Sequence, residues 1–165
     1  MDAVDVGAKG RVRGGKKYRK IITDKLKLAQ SLNFDILAGI PEDTAPYPTG
    51  ENVAMVGAKN EFGSEADRIP PRPFLQTTLD KNKKYYGENM VQIVEGVMKR
   101  GRDAMKGGGL LGTIVQDDIK RKIEAIKYPP NSAYTIEKKG SSNPLIDTGH
   151  MIQSIRYKIE PRKGK

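Results

Sequence analysis

The stretch NEFGSEADRIPPRPFLQTTL, residues 60–79, predicts a rigid joint around which the chain is built. Three of the four residues at positions 70–73 are prolines. Proline fixes φ, removes a backbone donor and biases the preceding residue away from the α region. We therefore predict a stiff, extended hinge, with Ile69 and Phe74 buried at its ends and Arg72 held outward between them.

The segments on either side of this hinge differ in their hydrophobic pattern. A short apolar run before it predicts a strand over residues 52–62. After it, apolar residues return repeatedly to one face of a helix, which we predict to begin near Pro73 and to end near Gly101. These apolar residues are Leu75, Leu79, Tyr86, Met90, Val94 and Val97.

Two other segments alternate between apolar and polar residues and predict strands. Residues 34–40 place Phe34, Ile36, Ala38 and Ile40 on one face, and Pro41 ends the run. Residues 154–160 place Ile155, Tyr157 and Ile159 on one face. The fold class that follows is α+β: a small, mainly antiparallel sheet packed against the long central helix and a second helix.

The second helix is predicted over residues 111–126, closed by the prolines that follow it. The glycine-rich residues 106–112 are interpreted as a flexible joint before it, because the sequence lacks the strand and the Gly-Lys-Ser/Thr of a phosphate loop. Residues 21–32 favour a short helix, and residues 128–143 favour a polar loop. We expect one domain over residues 21–165, preceded by an arm.

That arm, residues 1–20, is rich in glycine, lysine and arginine, which predicts a segment that is flexible or ordered by a partner. The whole chain carries 30 Lys and Arg against 20 Asp and Glu, a net charge of +10 that favours polyanionic partners. Our candidates for contact with DNA or with an acidic neighbouring protein are Arg11, Arg13, Lys16 and Lys17. The common alternative is that this charge serves only solubility.

Several function classes are disfavoured by composition. The chain has no cysteine and a single histidine, so disulfides and Cys-based metal sites are excluded and a transition-metal site is not expected. No apolar run approaches the roughly 18 residues that a membrane helix needs. We expect no cofactor, no metal and no membrane partner. Glu61, Glu65 and Asp67 are expected to pair with Arg68 or Arg72.

One motif resembles a catalytic signature. Asp147-Thr148-Gly149 follows an apolar pair, as in retroviral-type aspartic proteases, where two such carboxylates share a proton and activate water. Only 16 residues follow the motif, since it ends at 149 of 165, which leaves no room for the rest of a protease barrel. We therefore interpret Asp147 or Thr148 as the N-cap of a short helical turn over residues 150–153.

Several short motifs follow one another in a recognisable order. They are Glu61-Phe62-Gly63, then Ile69-Pro70-Pro71-Arg72-Pro73-Phe74-Leu75, then a long helix, then Pro144-Leu145-Ile146-Asp147-Thr148-Gly149 and Ser154-Ile155-Arg156-Tyr157. This order resembles the neck, or tail-completion, proteins of long-tailed bacteriophages, a family also described as virion morphogenesis or tail-component proteins. The resemblance covers about residues 34–159. The basic arm has no counterpart in the family pattern.

The resemblance implies a non-enzymatic protein of the virion neck, present in the host cytoplasm during assembly. Its implied partners are further copies of itself, in a ring of about six or twelve, the head-completion or connector protein, the tail terminator or tail tube protein, and the duplex DNA that passes through the lumen. The main alternative is a nucleic-acid-binding protein that uses the basic arm, and a minor one is the aspartic protease.

Two segments are our candidates for the contacts of such a ring. The docking segment consists of Ile69, Pro70, Pro71, Arg72, Pro73 and Phe74, because a stiff polyproline-like segment loses little entropy on binding. The inter-subunit loop is represented by Pro41, Tyr47, Pro48 and Asn52, and its role is implied by the resemblance.

Overall fold

The structure, a computed structural model, describes the backbone of residues 15–162 and the side chains of residues 19–162 except that of Lys139. Six helices and two strands are present in this part of the chain. In order they are α1 (Gly15–Gln30), β1 (Phe34–Gly39), α2 (Val53–Phe62), α3 (Leu75–Arg100), α4 (Ala104–Ala125), α5 (Ala133–Lys139), α6 (His150–Gln153) and β2 (Arg156–Pro161).

Helices α3 and α4 form an antiparallel hairpin that is the main scaffold. The turn between them is closed by Gly101, whose positive φ of 62° allows its N–H to bond to the carbonyl of Val97. Asp103 then caps α4, because its Oδ1 accepts a hydrogen bond from the backbone N of Lys106 at 3.0 Å. The predicted long helix and its end near Gly101 are thus confirmed.

The sheet is a two-stranded antiparallel ribbon, in which Phe34 lies opposite Pro161 and Gly39 opposite Arg156. The predicted alternation holds in β1, since Phe34 is buried while Leu37, on the opposite face, is 51% exposed. The fold class is α+β, as the sequence predicts, with the sheet packed against the helices.

Two glycines allow the sheet to approach α4 closely. A Cβ at Gly108 would lie 2.7 Å from Cε2 of Phe34, and a Cβ at Gly112 would lie 2.3 Å from Cδ2 of Tyr157. The aromatic rings of β1 and β2 therefore rest directly on the backbone of α4. Gly107 faces the other helix of the hairpin, where a Cβ would meet Ile93 at 2.9 Å.

The largest fully buried side chains define where the core lies. They are Phe74, Ile119, Ile123, Ile155, Val53 and Val97. Most belong to one cluster between α2, α3, α4 and β2. A smaller cluster of Phe34, Val97 and Ala104, with Leu28 and Leu32 against it, joins the end of α1 to the turn of the hairpin. No helix within residues 15–162 is both long and apolar enough to cross a membrane.

The predicted strand over residues 52–62 is wrong, because this segment is α2. Asn52 caps the helix, its Oδ1 accepting from the backbone N of Met55 at 2.9 Å. Its buried residues, Val53, Gly57 and Glu61, recur every four positions. The apolar run on which the strand was predicted is too short to separate the two periods.

Three other boundaries differ from the sequence-based predictions. Residues 106–112 are not a joint but the first turns of α4, whose glycines are needed by the sheet. Helix α1 begins at Gly15 and not at residue 21, so part of the predicted arm is helical. Residues 128–143 contain α5, capped by Ser132, whose Oγ accepts from Thr135 N at 3.2 Å.

The contact between Gly112 and Tyr157 predicts opposite effects of the same substitution at two glycines of the hairpin. Gly112→Ala should destabilise the protein by about 1–3 kcal/mol, because the Tyr157 ring must move. Gly87→Ala, where nothing lies within 4 Å of the added Cβ, should stabilise it by about 0.5–1 kcal/mol through helix propensity. Urea unfolding of both variants measures this, and equal effects would contradict the packing.

Candidate partner-docking site

A buried carboxylate holds the start of the long helix. Glu61, at the end of α2, is 4% exposed. Its Oε2 accepts hydrogen bonds from the backbone N of Phe74 at 2.7 Å and of Leu75 at 2.8 Å, and its Oε1 accepts from Gln76 N at 2.9 Å. The carboxylate thus satisfies three of the four free donors of the helix and lies at the positive end of its dipole.

This remote cap replaces a local one that the sequence does not supply. The N-cap position of α3 is Phe74, whose side chain has no group to accept a hydrogen bond. The backbone N–H groups at a buried helix start need hydrogen-bond acceptors. Because the sequence has no Ser, Thr, Asp or Asn at the N-cap of α3, an acceptor from elsewhere in the chain is required. The expected pairing of Glu61 with an arginine is wrong.

Arg72 points into the protein and not outward as predicted. The residue is 5% exposed. Its guanidinium donates to the carbonyls of Pro129 at 2.8 Å and Pro130 at 3.2 Å, and to Oδ1 of Asn60 at 3.2 Å and Asn131 at 3.1 Å. Burial lowers the pKa of Arg72 from its ordinary value. The arginine is therefore an internal clamp that joins the hinge to the segment after α4.

The turn before the hinge is closed by its own backbone. Ser64 and Ile69 exchange two N–H···O bonds of 2.8 Å, and Gly63 has a φ of 82°, a region that favours glycine. Asp67 pairs with Lys59 at 2.8 Å, and this hydrogen bond, with a second from Ser64, lowers the pKa of the Asp67 carboxyl. The turn is thus pinned to α2 through Lys59.

What the hinge leaves exposed is an apolar tip beside this turn. Phe62 is 76% exposed, Met55 lies two turns earlier on α2 at 59%, and Pro71 is exposed. Phe62, Pro70 and Pro71 line a shallow depression of about 450 Å³. Of the predicted docking residues, Arg72 and Phe74 are internal, while Pro71 remains accessible. Phe62 is a docking candidate that the sequence interpretation missed. It follows Glu61, which lies on the buried face of α2, so the side chain of Phe62 lies off that face.

The predicted inter-subunit loop packs against α6. The Tyr47 ring lies 4.9 Å from the ring of His150, whose Nε2–H donates to the carbonyl of Ala45 at 3.1 Å. Burial, with the nearby charges of Asp147 and Glu51, raises the pKa of Tyr47. A cleft of about 530 Å³ opens between this loop, α2 and α6.

The four predicted residues of that loop have different surroundings. Pro48 is exposed, Pro41 and Tyr47 are half-buried, and Asn52 serves as the cap of α2. Only Pro48 is free of a structural role among the described contacts of the loop. The loop as a whole nevertheless remains accessible, since residues 42, 43, 45, 46 and 48–52 are exposed.

The predicted cap of α6 is wrong, although the predicted helical turn over residues 150–153 is present. The N-cap residue is Gly149, with a φ of 80° and no side-chain cap bond. Thr148 Oγ1 accepts from the backbone N of His150 at 3.4 Å, a long bond, whereas Asp147 is exposed and makes no cap. Arg11 and Arg13 lie outside the described residues, and so do the side chains of Lys16 and Lys17, whose backbone begins α1.

Within residues 19–162 the structure shows no group of three or more His, Asp or Glu side chains that could hold a metal ion. Comparison with models of protein families, with curated proteins and with solved structures finds no match to this chain.

The cap at the start of α3 predicts a strong effect of a nearly isosteric change. Glu61→Gln should destabilise the protein by about 2–3 kcal/mol, because an amide NH₂ would face helix N–H groups and the charge-assisted bonds would be lost. Glu65→Gln, at an exposed position of the same turn, is the control and should change the free energy of unfolding by less than about 0.5 kcal/mol. Thermal and urea unfolding compare the two, and a harmless Glu61→Gln would refute the cap.

The internal clamp predicts that lysine cannot replace Arg72. A lysine ammonium lacks the planar fork that reaches four acceptors at once, so Arg72→Lys should cost about 3 kcal/mol. Arg68→Lys, an exposed change in the same segment, should be close to neutral. If Arg72→Lys unfolds like the parent but fails to bind partners, the side chain is a docking group after all.

Proposed function

We propose that the chain is a structural subunit of a homo-oligomeric ring at the neck of a long-tailed bacteriophage. In this role it joins the head connector to the tail terminator or tail tube and surrounds the DNA channel. The order of its short motifs resembles that family, and these motifs fall on structural joints: the Glu61 cap, the Arg72 clamp and the turn that leads into β2.

The observation that carries the proposal is the exposed apolar tip at the end of α2. Fourteen large apolar side chains among the described residues are more than a third exposed, and Phe62 is the most exposed of those on α2. Exposed apolar groups mark interaction sites where they lie together, as Phe62 and Pro71 do around one depression. Rigid presentation favours binding further, since the Glu61 and Arg72 contacts fix the segment that carries the Phe62 tip.

A second candidate function, binding to duplex DNA, is favoured by the charge around one end of the molecule. Here α1 meets the α3–α4 turn, with Lys25 Nζ donating to the carbonyl of Met98. We call this surface the basic corner. The cations at this turn are Lys25, Lys99, Arg100, Arg102 and Lys106, against the carboxylates of Glu95, which pairs with Lys99, and of Asp103.

The neck proposal predicts that Phe62 is needed for assembly but not for folding. Phe62→Ser should lower the yield of joined particles about tenfold or more when the protein is mixed with isolated phage heads and tails, because a central aromatic contact is lost. Tyr134→Ser is the matched control, because it also replaces an exposed aromatic side chain, on α5, by serine. Electron microscopy counts the particles, and light scattering gives the mass of the free protein.

The two candidate functions give different results in this experiment. A monomer that binds duplex DNA tightly, with a steep loss of affinity as salt rises, and that does not join heads to tails would refute the neck proposal. Normal particle yield from Phe62→Ser would remove the Phe62 tip from the contact.

A further inference from the structure

We propose that the basic corner of one copy binds the acidic loop surface of the next, so that the chain associates head to tail. This inference specifies the contact within the ring of the proposed function and rests on that proposal. Its occupant is a second copy of this chain. Charge is separated along the molecule, and the two surfaces also carry matching apolar groups.

The acidic loop surface consists of residues 41–68 and 144–150. Although the whole chain is strongly basic, this surface carries six exposed carboxylates, which are Glu42, Asp43, Glu51, Glu65, Asp67 and Asp147. Its own cations are Lys59 and Arg68, and Arg156 reaches Asp43 at 4.0 Å. Acidic charge concentrated on one surface of a +10 protein identifies a place where a basic partner is attracted.

The two surfaces lie at opposite ends of α3. Glu61 fixes the acidic loop surface at the start of the helix, and the basic corner surrounds its end at Gly101. At a rise of 1.5 Å per residue, the 26 residues of α3 separate them by about 39 Å. A single copy cannot bring them together. Contact between unlike surfaces of successive copies is heterologous and closes into a ring where the rotation permits.

Apolar groups at the two surfaces match as well. The basic corner borders a groove of about 600 Å³ between α3 and α4, with Ile93, Leu110 and Ile114 in its lining. Arg102 and Lys106 stand in the same lining, together with Asp103, whose carboxylate already accepts the cap bond of α4. On the acidic loop surface the Phe62 tip is 76% exposed, with Glu65 beside it in the following turn. An aromatic anchor with an acidic neighbour suits an apolar groove with basic groups.

Charge reversal of each surface, followed by mixing, tests the contact. The first variant carries Glu42→Lys, Glu65→Lys and Asp147→Lys, and the second carries Lys99→Glu, Arg100→Glu and Lys106→Glu, all at exposed positions. Each alone should lose self-association by at least about tenfold, because like charges now face each other. An equimolar mixture should regain it, since every contact again joins opposite charges. Asp80→Lys, Asp117→Lys and Glu124→Lys together make the matched control, which should associate like the parent.

Sedimentation at low and moderate salt provides the measurement, and unfolding curves of each variant show that it remains folded. A mixture that stays monomeric, or a control variant that loses association equally, overturns the inference. If the second variant loses duplex DNA binding and the first cannot restore assembly, the basic corner serves DNA and the inference is wrong. Restored assembly that forms open filaments, or that ignores heads and tails, supports the contact and refutes the neck function.

Cross-linking provides a second measurement that does not depend on charge. Because the chain has no cysteine, Glu65→Cys and Lys106→Cys introduce the only thiols. The double variant should give a ladder of disulfide-linked multimers on a non-reducing gel, while each single variant should give none. A ladder or dimer from a single variant would indicate a different, symmetric contact and overturn the proposal.

Discussion

The structure depends on one buried carboxylate at the start of the longest helix. Glu61 replaces the solvent that would otherwise bind the first N–H groups of α3, and it does so from the end of a different helix. The cost of burying its charge is offset by three hydrogen bonds and the helix dipole. The angle between α2 and α3 is thereby fixed, and the buried guanidinium of Arg72 fixes the hinge to the segment that follows α4. Glu61 and Arg72 have the charge of surface residues, yet both are buried and hold elements of the fold together.

These two buried side chains also determine which apolar residues remain exposed near the hinge. Because Arg72 and Phe74 turn inward, the residues that remain accessible on this side are Phe62, Met55 and Pro71. They are carried by a helix end and a proline segment, whose backbones lose little freedom when a partner binds. A rigid apolar tip on an acidic surface, far from a basic groove, gives the molecule a direction, with two ends that differ in both charge and shape.

The sequence predicts the elements whose patterns are long or strictly alternating. The α+β class, the long helix and its end at Gly101, and the existence of the two strands follow from periodicity and from glycine and proline. Their pairing does not, because the sequence favours an antiparallel pair of residues 34–40 with residues 52–62, whereas β1 pairs with β2. Residues 52–62 fit a strand as well as a helix, because the apolar run of Val53, Met55 and Val56 is too short to separate the two periods. The inward turn of Arg72 depends on carbonyls more than fifty positions away, which no local pattern contains. The glycines of residues 106–112 suggest flexibility in the sequence. In the structure Gly108 and Gly112 lie within a helix, where an aromatic ring occupies the place of a Cβ.

The close packing of the sheet on α4 has a consequence for how this chain can change over time. At residues 112 and 157, and again at residues 108 and 34, the aromatic ring on the strand fills the space that a side chain on α4 would need. The position on α4 therefore has room only for glycine. A larger residue on the helix is therefore acceptable only if the facing aromatic shrinks. Among descendants of this chain the two residues of each pair should therefore change together. The two glycine positions should accumulate substitutions more slowly than the other positions of α4.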